Sequence, residues 1–238
     1  MRSPLALAAS AAALLATALP VFAYEAVSVS EGGTIKGRVV YAGPAPTKRR
    51  IILTKDKEAC GTGVREVDQI LLGPDNEVRE AIIYLRDVAK GKTWEKPAKT
   101  PAIENSNCQF RPHVQVVPAG DVEIVNSDPV LHNTHGFLDK RTVFNVALPH
   151  QGLRIEKSLR QPGLVRVECD AHGWMLGWIY VADNPYYAIT AKDGTFVLTN
   201  IPLGSYTLVT WHEYTGAVET PVTAKAKDTV AITVELKR

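Results

Sequence analysis

Cys169, His172 and Met175 stand three residues apart in the stretch Val165-Arg166-Val167-Glu168-Cys169-Asp170-Ala171-His172-Gly173-Trp174-Met175-Leu176-Gly177. Thiolate and thioether are soft donors that select copper, and imidazole accepts that metal in either oxidation state. A cysteine, two histidines and a weak axial methionine make an electron-transfer site, so the loop is one histidine short. His132 completes the set. It follows an alternating run, Val122 to Asn126, and the turn residues Ser127-Asp128-Pro129, which together read as a strand ending at a polar loop.

The elements that must position these residues are strands. In Val165, Val167 and Cys169 the period of two puts three side chains on one face, so the thiol points into a core. The loop then carries His172 and Met175 to Gly177, where the chain turns into a second apolar strand, Trp178 to Val181. The competing reading, a buried structural cysteine beside chance neighbours, accounts for neither the spacing nor the upstream histidine.

With His132-Asn133 followed by Cys-x-x-His-x-x-Met-x-Gly on a strand-loop-strand, residues 100 to 183 resemble the cupredoxin (blue copper) family, with a Cys-to-Met spacing like that of amicyanin. The resemblance implies a Greek-key β-sandwich, a type 1 copper cofactor, His132, Cys169 and His172 as strong ligands and Met175 as the long axial one. It also implies that Asn133 ties the two ligand loops together. Two positions depart from the family pattern: Asp170 follows the cysteine where Ser or Thr is common, and Ala171 replaces the proline before the loop histidine. An N–H at Ala171 can donate to the thiolate and is expected to raise the potential.

Met1 to Ala23 has one basic residue, Arg2, an apolar run from Leu5 to Leu19 and the small-residue pattern Val21-Phe22-Ala23, which reads as a secretory signal cut before Tyr24. The run is short for a membrane span, and the expected location is a bacterial periplasm. Without the signal, 26 basic residues face 25 acidic ones. No global field follows, and no basic stripe interleaved with aromatics suggests nucleic acid.

Short alternating runs broken by Gly, Pro, Asn and Asp continue through the rest of the chain, which predicts an all-β protein. Strands are expected at Ile35 to Tyr41, Ile51 to Leu53, Gln69 to Leu72, Ala81 to Arg86 and Phe110 to Val117, with a polar loop from Asp87 to Pro101. Ile189 to Leu198 reads as a hairpin around Asp193-Gly194. The run Asp-Gly-x-Phe-x-Leu-x-Asn-Ile-Pro-x-Gly-x-Tyr-x-Leu from Asp193 resembles the carboxypeptidase regulatory-like (transthyretin-like) domain, a second small β-sandwich. Residues 186 to 238 are short for one. Either the N-terminal β segment, residues 24 to 99, shares that sandwich with the copper module inserted between, or it extends the copper module.

Cys60 and Cys108 remain. In an oxidising compartment they are most simply a disulfide; the alternative is a second metal site using Cys108 with His113. His135 is read as a neighbour of the site, His150 as a surface residue and His212 as a core or capping residue. Glu168 and Asp170 flank the cysteine where a multicopper enzyme would place histidines, and four protein ligands leave no open position for a substrate. The expectation is a one-electron carrier and not an enzyme, working with redox partner proteins such as a dehydrogenase or cytochrome. His172 would be its exposed electron port, rimmed by Gly173, Trp174 and Leu176. A copper carrier or sensor is the second reading, and a partner- or glycan-binding module with structural copper the third.

Overall fold

The structure is a computed structural model that describes residues 24–238, so the signal reading of Met1 to Ala23 falls outside the described residues. Two β-sandwiches lie side by side. The first stacks a five-stranded sheet, in the order Arg141–Leu148, His132–Leu138, Gly163–Glu168, Leu176–Ala182 and Val114–Pro118, on a four-stranded one. The latter runs Arg154–Leu159, Gly120–Asn126, Ala102–Asn105 and Phe110–Arg111. Alternation decides which side chains fill the space between them: Ile124, Leu148, Val165, Val167, Ile179 and Val181 are all buried. Each such side chain contributes about 1.5–3 kcal/mol of burial free energy.

The second sandwich is built from both ends of the described chain. Gly33–Tyr41 lies between Thr229–Leu236, its parallel partner, and Thr195–Ile201, its antiparallel one. The facing sheet runs Tyr187–Ile189, Ile82–Arg86, Gly204–His212 and Gly216–Ala224. Ile35, Val39, Leu85, Leu208 and Leu236 close the core between these sheets. A smaller apolar layer joins the two sandwiches, where the Tyr84 and Tyr180 rings stack at 4.2 Å and Trp178 meets Trp211 edge to face at 4.9 Å.

From the second sandwich a hairpin, Arg49–Leu53 paired with Gly63–Val67, reaches across to the first. Its tip carries Asp56 and a single helical turn, Lys57–Cys60. A disulfide joins Cys60 at that tip to Cys108 in the first sandwich.

Three strand expectations need correction. Gln69 to Leu72 contributes only an isolated bridge, Leu72 to Val78. Phe110 to Val117 is two strands in different sheets, because Pro112 has no N–H to give a continuous ladder. The Asp193-Gly194 turn exists, with Asp193 Oδ1 accepting from the Thr195 N–H at 3.1 Å, but its flanking strands part into opposite sheets and form no hairpin. A Cβ at Gly194 would lie 2.7 Å from the Val39 carbonyl, so the turn packs closely on the neighbouring strand Gly33–Tyr41. Gly216–Ala224 went unread because Pro221 interrupts its pattern; the strand lies at a sheet edge, where proline is tolerated.

Candidate metal centre

His132 opens the strand His132–Leu138, whose residues alternate between buried and half-exposed. That parity sends His132 and Thr134 inward and His135 outward. His135 therefore stays off the centre: its Nδ1 lies 3.2 Å from Asp170 and its Nε2 2.9 Å from the Thr142 hydroxyl. Cys169 follows directly on the strand Gly163–Glu168 and is buried like Val165 and Val167 before it. The next turn is closed by the Met175 N–H donating to the His172 carbonyl at 2.9 Å. Met175 is buried in the same apolar cluster as Cys169.

The donor atoms converge. Cys169 Sγ lies 3.9 Å from His132 Nδ1 and 3.7 Å from His172 Nδ1, and the three donors are within 4.8 Å of one another. Both rings hold their other nitrogen against a carboxylate: His132 Nε2 donates to Asp128 Oδ2 at 2.9 Å, and His172 Nε2 donates to Asp56 Oδ2 at 2.7 Å. A carboxylate acceptor fixes the proton on Nε2, which leaves each Nδ1 lone pair aimed at the sulfur. Two buried imidazole lone pairs around a buried thiol fit a soft or borderline metal ion, copper first.

Burial pushes the Cys169 thiol up, while the backbone N–H groups of Asn133, His172 and Ala171 pull the other way. The Asn133 N–H donates to the sulfur at 3.4 Å. Burial holds the His132 ring down despite Asp128. The lowered His132 ring stays neutral and available as a donor. Asn133 also ties the loops as the resemblance implied, since its Oδ1 accepts from the Asp170 N–H at 3.3 Å.

Two site residues escaped the sequence reading. Asp128 accepts three hydrogen bonds, from His132 and from the backbone N–H groups of Asn107 and Cys108 at 2.8 Å each. Its spacing of four from His132 was the available signal. Asp56 lies 116 residues from His172, and nothing local connects the two. The exposed electron port at His172 is therefore corrected: the ring is 0 % exposed because the hairpin tip covers it, with Lys55 Nζ also donating to the Ala171 carbonyl at 3.0 Å. Of the expected rim, Gly173 is exposed and Leu176 half-exposed, while the Trp174 indole donates to the Cys108 carbonyl at 3.2 Å.

The second metal site expected as an alternative at Cys108 and His113 does not form. Cys108 is in the disulfide, and His113 Nε2 pairs with Glu213 at 2.6 Å. His150 is exposed and His212 buried, in line with their reading.

No family model and no curated protein matches the chain. Among solved structures it is similar to a Cu-containing nitrite reductase (NirK) from Thermus scotoductus, at 24% identity and TM-score 0.32 over 37% of this chain and 23% of that one. It is also similar to a purple cupredoxin from Nitrosopumilus maritimus, at 24% identity and TM-score 0.31 over 34% of this chain and 99% of that one. Amicyanin from Paracoccus versutus matches at 14% identity and TM-score 0.32 over 37% of this chain and 86% of its own. The chain spans less than a quarter of the nitrite reductase's length.

Proposed function

We propose that the chain is an exported mononuclear type 1 copper protein that carries single electrons between redox partner proteins in the periplasm. The observation that carries this reading is the pair of carboxylate-locked imidazoles whose Nδ1 atoms face one buried thiol. His132, Cys169 and His172 would hold copper, with Met175 as the weak fourth ligand. When bound, copper supplies a one-electron couple. The protein's part is to keep both histidines in one tautomer, to exclude water with the apolar cluster and to hold the donors still. Fixed ligands lower the reorganisation that electron transfer requires, and this role needs no substrate position.

A redox partner would meet His172 across the hairpin tip, from Lys55 to Glu58, in place of a bare imidazole edge. The copper-carrier reading asks for ready metal release, and a donor set buried under a disulfide-tethered hairpin works against it. The second sandwich, whose motif resembles the carboxypeptidase regulatory-like domain, we read as the support that projects this hairpin.

Voltammetry of the copper-loaded protein tests the proposal. The expected result is a reversible one-electron wave with little change in coordination between oxidation states. Copper that is lost on each reduction would favour the carrier instead.

A further inference from the structure

A cavity of about 710 Å³ opens where the hairpin, the copper-loop sandwich and the second sandwich meet. Its size falls within the range of small-molecule sites, about 300–1,000 Å³. Trp174, Trp178, Tyr214 and Phe110 give it aromatic walls. Arg49, Arg65, Arg111 and Arg238 also line it, and among the described residues none of the four is paired with a carboxylate side chain.

The acids on the same walls are largely engaged. Glu66 faces Arg50 at 4.0 Å, Asp68 faces Lys48 at 3.3 Å, and Glu213 takes both His113 and the Trp178 indole at 2.6 Å. Glu80 is the lining acidic side chain without an ion pair, so four unpaired guanidinium groups face one unpaired carboxylate side chain. Arg65 is braced by the carbonyls of Cys60 and Asn107, at 2.8 and 3.2 Å, and Arg238 lies over the Tyr214 ring at 4.5 Å.

A buried polar group also faces this space. His212 is 5 % exposed, and its Nδ1 accepts from the Tyr214 N–H at 3.1 Å, which puts the ring proton on Nε2. That N–H has no protein partner among the described residues, and the side chain lines the cavity.

Guanidinium groups bind carboxylates through two parallel hydrogen bonds, and indole and phenol faces stack on planar rings. We propose that this cavity binds a small aromatic carboxylate, its acid group held by the unpaired arginines and its ring by Trp174, Trp178 and Tyr214. The inference does not rest on the electron-carrier reading, because every group it uses belongs to the protein whether or not copper is bound. The site adjoins the copper loop through Trp174, Met175 and Leu176, so an occupant would sit behind the methionine.

Titration with 4-hydroxybenzoate tests it, followed by calorimetry and by the indole N–H resonances, in metal-free and Cu(I)-loaded protein. Saturable 1:1 binding below about 1 mM is expected, shifting Trp174 and Trp178 and sparing Trp94. Phenol, acetate and benzamidine should bind at least about tenfold more weakly, each lacking the charge, the ring or the correct sign. Arg49→Gln and Arg111→Gln, both at exposed positions, should each weaken binding by about tenfold. No saturation by about 10 mM would overturn the proposal, as would equal binding of acetate or benzamidine, or arginine variants that bind normally. Indole shifts in the unsubstituted protein keep the test decisive if a variant fails to fold.

Discussion

At the residue scale, the centre depends on which nitrogen of each histidine carries the proton. Asp56 and Asp128 set this from opposite sides, and they are unequal. Asp128 is buried and held by two backbone N–H groups, whereas Asp56 sits at an exposed hairpin tip. Asp56→Ala should lower copper affinity by about tenfold, as outer-sphere changes do, and open His172 to small exogenous ligands. Competition with a chelator measures the first effect and added imidazole the second. Met175→Leu should leave copper bound and raise the potential, because the weak axial donor is lost. A large loss of copper from that variant would make Met175 a main ligand. Of the expected ligands, Cys169 and His172 were legible from strand parity and a spacing of three, and His132 from the strand and polar turn before it; the structure brings these three together. Asp56 was not, since only the folded hairpin brings it to His172.

At the scale of elements, the hairpin Arg49–Leu53 with Gly63–Val67 links the two sandwiches and covers the centre. The disulfide at its tip joins residues 48 apart, a loop whose closure stabilises by about 4 kcal/mol on chain-entropy grounds. Replacing Cys60 and Cys108 together by serine should lower stability by roughly that amount in chemical denaturation. The same variant should also lose copper affinity, because Asp56 then depends on the free hairpin for its place. The strands that lead to His132 and Cys169 could be read because their apolar residues alternate cleanly. Gly63–Val67 and Gly216–Ala224 could not, since they are largely exposed and carry no clean run of alternating apolar residues. The reading of Asp193-Gly194 as a hairpin failed for a related reason: a turn fixes local chain reversal, while the sheet each strand joins depends on Gly33–Tyr41 and Ile82–Arg86.

For the whole molecule, the boundary between the sandwiches holds a second set of coupled ionisable groups. Burial pushes His212 down to about 4, with Glu213 opposing and His113 adding to the effect. A histidine depressed in the folded state binds its proton more readily when unfolded. Its contribution is therefore intact above about 6.5 and falls away as the pH drops toward 4, by about 3 kcal/mol in all. His212→Gln should flatten the stability profile across that window relative to the unsubstituted protein. Urea denaturation at a series of pH values checks this, and equal slopes in both proteins would contradict it. Because Gly33–Tyr41 takes partners from beyond residue 190, deleting residues 186 to 238 should unfold the early strands as well and leave no folded second sandwich.

Cys169 should bind copper as a thiolate between two Nδ1 donors. The visible absorption and EPR spectrum after adding Cu(II), taken alongside Cys169→Ser, tests it most directly. An intense thiolate-to-copper band with narrow copper hyperfine splitting is expected in the unsubstituted protein, and its complete absence in the variant. A weak, pale spectrum in the first, or a band that survives in the second, would contradict it.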